Sequence, residues 1–394
     1  MNYVTLHKAV SGTAAALRSR TKLQPAGGAG DKVFPPTYAG AVYAKEERQI
    51  NGVKVPCVLL DSVQAQANRL EEALQRALDS GALKDLPVLN VDFTGLGLLD
   101  EVGRVSSLEA PHRIADAILR DSLHEGQAFR KSELGKSLDQ ASLQNATPLY
   151  KLCPTALIFG LWDSTGPKGG LGAKFQRALV SEIIGVNAEI GVKTSSRIDP
   201  LGMRAAAKVV KKADGSYELA GDRAKDGVSP SEVNHGNIPP DITKPGGSGG
   251  ATLDYAEQTI VLSLPALRKL RFPVDGKTTH ERDTAGRTVL AALALTAATL
   301  AAESGFDLRS RCLLWPTDMM KWELLETPGK APTEFTLTSE AAIKLLQEAM
   351  VAAEKLGLVW QKEPVKLTPS SNLVALLKRS QDIAAKTSAD NSAV

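Results

Sequence analysis

Residues 160–185 read GLWDSTGPKGGLGAKFQRALVSEIIG. The reading of this stretch decides the fold class. The apolar residues Thr155 to Leu161 before it predict a strand. Gly166, Gly169, Gly170 and Gly172 predict a loop, with Lys168 inside it and Lys174 and Arg177 just beyond. The residues after the loop predict an amphipathic helix. Glycine lets backbone approach a ligand closely, and exposed amides at a helix start attract anions. Neighbouring Lys and Arg add charge. Such a device suits a phosphate, on a nucleotide or on a nucleic-acid backbone. The bland alternative is a tight strand-to-helix turn with incidental cations.

Spacing argues against the nucleotide. A Walker loop needs G-x-x-x-x-G-K-[ST], but Gly166 is followed five residues later by Leu171, and Lys174 by Phe175. No hydroxyl stands where magnesium needs one. The dinucleotide pattern G-x-G-x-x-G fails too, since Gly170-Leu-Gly172 ends at Phe175 and Gly95-Leu-Gly97 at Asp100.

With 394 residues and 43% apolar content, the chain can bury a large core, with two lobes expected. Its net charge of +3 is unevenly spread. The balance is +5 over residues 1–54, −5 over 55–150, +5 over 151–225 and −2 beyond. Two basic segments around an acidic one suggest a polyanion-binding face, or ordinary surface scatter. Cys57, Cys153 and Cys312 form no disulfide framework and no zinc pair, and the five histidines show no ligand spacing. Neither a metal nor a cofactor is expected. No signal peptide is recognised, and the apolar run Val289 to Ala302 is too short to span a bilayer. A cytoplasmic protein with no membrane contact is the expectation.

Along the chain, Ala14 to Leu23 alternates as a strand, putting Arg18, Arg20 and Lys22 on one face. A Gly/Pro loop comes next, QPAGGAGDKVFPPTYAG at 24–40. Asn51-Gly52 between two apolar runs predicts a hairpin. Ser62 to Leu78 predicts a helix capped by Asp61 or Ser62, with Gln64, Asn68 and Glu71 beside Arg69 off its apolar stripe. Strands are predicted at Val88 to Phe93, Val186 to Lys193, Leu253 to Leu264 and Arg311 to Trp315. Helices are predicted at Ala110 to Leu123, Thr279 to Ser304, Ser339 to Leu356 and Asn372 to Ala384. Thr194 to Gly250 is too long for a loop of a compact domain and predicts an inserted lobe with a hairpin around Asp214-Gly215. The tail TSADNSAV is expected to be disordered. The order is that of an α+β fold.

No catalytic constellation stands out. Gly246-Gly-Ser248-Gly-Gly250 matches G-x-S-x-G, but a Pro-rich loop precedes it and a strand comes after, the wrong context for a nucleophile elbow. Asp61, Asp100, Asp163 and Asp199 lie at turns or element ends, where Asp stabilises locally.

Several segments together resemble one family: QPAGGAGDKVFPPTY at 24–38, CVLLDSVQAQANRLEEAL at 57–74, PHRIADAILRDS at 111–122, the glycine-loop segment at 155–185, NHGNIPP at 234–240 and LDYAEQTIVLSLPALRKLRF at 253–272. They are similar to the backbone subunit of the type I-G (formerly I-U) CRISPR Cascade complex, the Cas-seven family of the RAMP superfamily. The resemblance implies an RNA-recognition-motif-like (ferredoxin-like) palm over 1–193 and 251–330 with inserted finger and thumb elements. The thumb is expected at 194–250, a C-terminal helical part at 331–386 and a disordered tail at 387–394. It also implies copies of this chain lined along a CRISPR RNA, presenting it to target DNA beside other Cascade subunits. Sequence is then read by base pairing, while the protein reads backbone shape and charge.

The residues expected to touch RNA come from that combination. Lys168, Gly169, Gly170, Lys174 and Arg177 serve the glycine loop. Arg18, Arg20 and Lys22 line the palm, and Lys32 with Phe34 and Tyr38 clamps or wedges the strand. Gln64 and Arg69 face it from the first long helix, and Arg197, Arg204 and Lys208 from the insertion. Each also has a plain reading as a solvated or ion-paired side chain. Aromatics at 5% and the missing RNP signature argue against base stacking on the sheet. The rivals are a metal-dependent RAMP ribonuclease using Asp61, Asp163 or Asp199, and an unrelated phosphate-ligand enzyme.

Overall fold

Alternation of apolar and charged side chains makes Ala16–Pro25 (β1) a strand with two unlike faces. In the computed structural model, residues 1–165, 169, 172–194, 196–212, 216–221, 227–238 and 249–391 are described, side chains to 385. There β1 sits inside a nine-stranded, mixed-length antiparallel sheet. Helix α1 (Tyr3–Ser11) precedes it. The other main strands are β2 (Lys45–Ile50), β3 (Val53–Asp61), β4 (Leu179–Val186), β5 (Tyr255–Ser263), β6 (Leu313–Pro316) and β7 (Trp322–Leu325). Their order is β6-β1-β5-β4-β3-β2, with β7 pairing β1 on the same side as β6. Asn51 (φ 51°) and Gly52 (φ 81°) close the β2–β3 hairpin, the two positive angles a type I′ turn requires.

One face of the sheet is covered by α2 (Val63–Asp79) and α3 (His280–Glu303). Ser62 caps α2 through a bond from the Ala65 amide, and Leu70 and Leu74 pack under the sheet with Leu17, Ile260 and Leu262. Helix α3 is buried all round from Asp283 to Thr299, so Thr288, Thr296 and Thr299 turn their hydroxyls onto carbonyls four residues back. It is long and apolar enough to cross a membrane, but 83% of its apolar window lies inside the protein. α4 (Ser339–Glu354) packs on α3. The expected C-terminal helical part also supplies a strand, β8 (Val365–Pro369), which pairs parallel with Leu89–Asp92 and antiparallel with Ser122–His124 in a second sheet. α5 (Ser371–Asn391) then runs into the tail that composition predicts as disordered.

The stretch at 155–186 is built in the reverse sense from its sequence reading. Thr155–Phe159 is a fully buried helical turn, ended at Gly160 (φ 88°). Leu161–Trp162 pairs with Lys174–Phe175 as a hairpin whose connection is the glycine loop. The next element is strand β4, not a helix. The reason is a register shift against β3 between Ile183 and Ile184. It leaves consecutive residues buried on both faces, a pattern that imitates helical spacing. The expected helix at 110–123 is also broken. Arg113 takes φ 55°, Asp116 caps a single turn at Ala117–Arg120, and Ser122–His124 is a strand. The strand expected at 186–193 is split, β4 ending at Val186 and Glu189–Ile190 pairing with Ala251–Thr252.

The chain leaves that short strand pair after Ile190 and returns to it at Ala251, which pair with each other. A Cβ on Gly249 would lie 2.0 Å from the Gly191 carbonyl oxygen, so the two stalks touch backbone to backbone. Within the lobe, Val209–Lys211 and Tyr217–Leu219 form the expected hairpin, with its turn outside the described residues. Val209, Pro230 and Val233 are buried. The Gly246–Ser248 part of the G-x-S-x-G match also lies outside the described residues, and Gly249 and Gly250 lead into a strand.

Candidate nucleic-acid interface

The strand β1 alternation places Arg18, Arg20 and Lys22 on the sheet face opposite α2 and α3, as its pattern requires. Their surroundings were not visible in the sequence. Arg18 donates Nε to Glu323 at 2.6 Å, and that hydrogen bond holds its guanidinium above the usual arginine range. Arg20 is bidentate to Glu257 at 2.8 and 2.9 Å. On β2, Arg48 pairs with Glu182 at 2.8 Å. The middle of the face is thus nearly charge-balanced. Lys22 has no carboxylate partner among the described residues and sits 4.8 Å from the Tyr255 ring centroid.

The end of the sheet beside Lys22 gathers further predicted residues. Arg311 lies over Phe34 at 4.6 Å, and Phe34 packs against Gly250. Lys32 stands beside Gly191 at the foot of the lobe. Val33 bridges Ala251, and the Tyr43 hydroxyl accepts from the Gly250 amide at 3.0 Å. Tyr38 is exposed on a short hairpin, Thr37–Tyr38 with Val42–Tyr43. Phe34 is therefore wedged into the protein, while Lys22, Lys32 and Tyr38 remain available. Within the lobe, Arg204 and Lys208 are exposed and Arg197 is half-buried, its backbone paired with Ile238.

The remaining predicted residues lie elsewhere. Lys174 and Arg177 are exposed at the opposite end of the sheet. Gly169 (φ 54°) turns the glycine loop, whereas Lys168 and Gly170 lie outside the described residues. Strand β4 stands where the anion-binding helix was expected. Gln64 is exposed on α2, which lies on the covered face, away from β1's cations. Arg69 is turned inward. It donates Nε to Asp61 at 2.9 Å and Nη2 to the Leu308 carbonyl.

The three suspect aspartates face protein donors. Asp61, with no exposed surface, accepts from Gln66 (2.7 Å), Arg69 and Arg309 (3.0 Å). Asp163 accepts from Arg130 at 2.7 Å. Asp199 accepts the Leu201, Met203 and Gly236 amides at 3.0–3.1 Å. Among the described residues no cluster of His, Cys, Asp and Glu could hold a metal. All three cysteines are buried and free, and burial pushes the Cys312 thiol up to about 11, away from nucleophilic use.

Sequence reasoning missed Tyr255, Trp315 and Arg311. Trp315 is 65% exposed and pairs with Gln24 on β1, so it shares the face of Lys22. Its signal is the alternation Leu313, Leu314, Trp315 in the expected strand, with Leu314 buried and its neighbours exposed.

A sequence model of the family described as CRISPR-associated protein GSU0053 matches residues 17–190, somewhat less than half of the chain. No curated protein matches the sequence. Among solved structures, Csc2 of Thermofilum pendens aligns over 96% of this chain and 80% of its own, at 11% identity and a TM-score of 0.28. The family match supports a CRISPR-associated protein. Its span takes in β1, the Gly/Pro loop, the hairpin, the glycine loop and β4.

Proposed function

We propose that this chain is a guide-RNA-binding backbone subunit of a type I CRISPR effector, of the Cas-seven kind and the I-G subtype. It polymerises along the CRISPR RNA and presents it for pairing with target DNA. The carrying observation is the strand order β7-β1-β5-β4, with α2, reached from β1 through the β2–β3 hairpin, lying between β1 and β4 in the chain and α3 between β5 and β7. That order supports the reading of an RNA-recognition-motif-like palm with the hairpin inserted. Its helix-free face carries Lys22, Tyr255 and Trp315, and the lobe and Lys32 loop rise from the same end. Cations without carboxylate partners, rather than a constellation of acid and base, suit backbone phosphates. On this reading the subunit is a scaffold and not an enzyme.

The test is co-expression with the neighbouring genes and a CRISPR array, purification at moderate salt, and sequencing of any nucleic acid retained. A uniform spacer-containing RNA in a multi-copy particle is expected. A nucleic-acid-free monomer overturns the reading.

A further inference from the structure

Of the four tryptophans, Trp322 and Trp360 are core residues at 1% and 4% exposure, while Trp315 and Trp162 stand in solvent. Trp162 is 59% exposed. It occupies a two-residue strand beside the glycine loop, where it serves no core, and its cross-strand partner is Lys174. The Lys174 ammonium lies 5.1 Å from the Trp162 ring centroid. Lys174 covers one side of the ring, and more than half of the residue is still exposed.

The charge around it differs from that on the sheet. Arg18, Arg20 and Arg48 each have a carboxylate within 2.8 Å. Lys174, Arg177 and Lys269 are exposed, and among the described residues none has a carboxylate within 4.0 Å. Lys269 reaches Gln176 at 3.0 Å, which brings it to the same hairpin. The stem of Arg177 lies over Gly160, where an added Cβ would meet its Cγ at 3.0 Å. An exposed indole with one unpaired cation on its face and two more on or against the same hairpin is poor for an apolar partner and good for a polyanion bearing flat bases.

We infer that Trp162 is a base-stacking residue: one base of a single-stranded RNA lies on the indole while Lys174, Arg177 and Lys269 hold the adjoining phosphates. This rests on the RNA-binding reading above and adds an aromatic contact at the end of the sheet remote from the inserted lobe. Stacking is tolerant of sequence because every base has a π-face, which suits a protein that must accept any guide.

Stacking and phosphate contacts separate by salt. The experiment uses the full chain and a fluorescein-labelled oligouridylate, with affinity measured from low to moderate salt. Trp162→Ala is expected to weaken binding roughly five- to 150-fold with the log–log salt slope unchanged. Trp162→Phe should retain most of the affinity and guards against misfolding of the hairpin. Lys174→Ala should instead reduce the slope by about 0.7. Binding of Trp162→Ala equal to the parent overturns the assignment. So does a Trp162→Ala variant that changes oligomeric state while leaving RNA affinity intact, which would make the indole a contact between copies. A parent chain that binds no oligouridylate overturns the underlying reading, and the stacking contact with it.

Discussion

Glu257→Gln should strengthen RNA binding. In the parent, Glu257 holds Arg20 through Nε and Nη2, at 3.3, 2.9 and 2.8 Å, and supplies a negative charge in the middle of the sheet face. The amide removes that charge and releases the guanidinium. The Arg20 side chain is 57% exposed and that of Glu257 14%, so the pair itself is worth only about 0–1 kcal/mol to folding and its loss leaves the fold intact. One new phosphate contact on a single strand adds about 0.7 to the salt slope. At about 0.15 M salt that is roughly 0.8 kcal/mol, or about fourfold in affinity. Fluorescence anisotropy with a labelled single-stranded RNA, repeated across a salt series, reads both quantities. Adding Arg20→Ala to Glu257→Gln should abolish the gain. An unchanged affinity and slope in Glu257→Gln would take the sheet face off the path of the RNA.

The buried pairs and the lobe give further expected outcomes. Glu71 and Arg113 form a bidentate pair at 2.7 Å with side chains 1% and 8% exposed, so Glu71→Ala should cost about 3–5 kcal/mol in urea unfolding, while Glu71→Leu with Arg113→Met should recover most of it. Burial pushes Glu71 up to about 7 from an ordinary 4.5, with Arg113 pulling the other way. A raised carboxyl is a cost absent below about 4.5 and complete above about 7, so this group's contribution to stability falls as pH rises through that window. Thermal unfolding from acid to neutral pH should be flatter in Glu71→Gln than in the parent, and an identical profile would refute it. Gly249→Val drives a side chain into the Gly191 backbone, so limited proteolysis should cut the 191–249 lobe faster while the main thermal transition stays in place. Finally, no metal-dependent cleavage of a complementary RNA is expected. A cleavage ladder abolished by Asp199→Ala would revive the ribonuclease reading.

Much of the fold was legible where the signal was local. Asn51-Gly52 announced the hairpin, Ser62 the start of α2, and strict alternation the two faces of β1. The lobe was marked by length alone. The failures have long-range causes. β4 looks helical because its register against β3 shifts between Ile183 and Ile184 and leaves Ile183 to Val186 buried one after another, and nothing in residues 179–186 encodes the partner strand. The 111–122 segment looks helical because it carries Ile114, Ala117 and Leu119. Its turn is instead fixed by Arg113 reaching Glu71, 42 residues away. The cations of β1 were read correctly as sharing a face, but their carboxylates lie 237 and 305 residues further on, so an ion-paired face was read as a basic one.

That pairing changes what a salt titration can count. Arg18 spends only Nε on Glu323, and Arg20 spends Nε and Nη2 on Glu257. Both guanidiniums have five donors, so each can still reach a phosphate without leaving its carboxylate. Such a contact adds a hydrogen bond but releases few counterions, because the pair is already neutral. Lys22, Lys32, Lys174 and Arg177 carry no such partner among the described residues. The salt slope of the parent should therefore fall short of the number of phosphates its surface touches. It should respond to replacement of those four cations far more than to loss of Arg18. Lys22 and Lys32 stand at one end of β1, and Lys174 and Arg177 at the other, separated by a ten-residue strand of roughly 30 Å. A polyanion that runs the length of β1 is then held by charge at its two ends and by geometry between them.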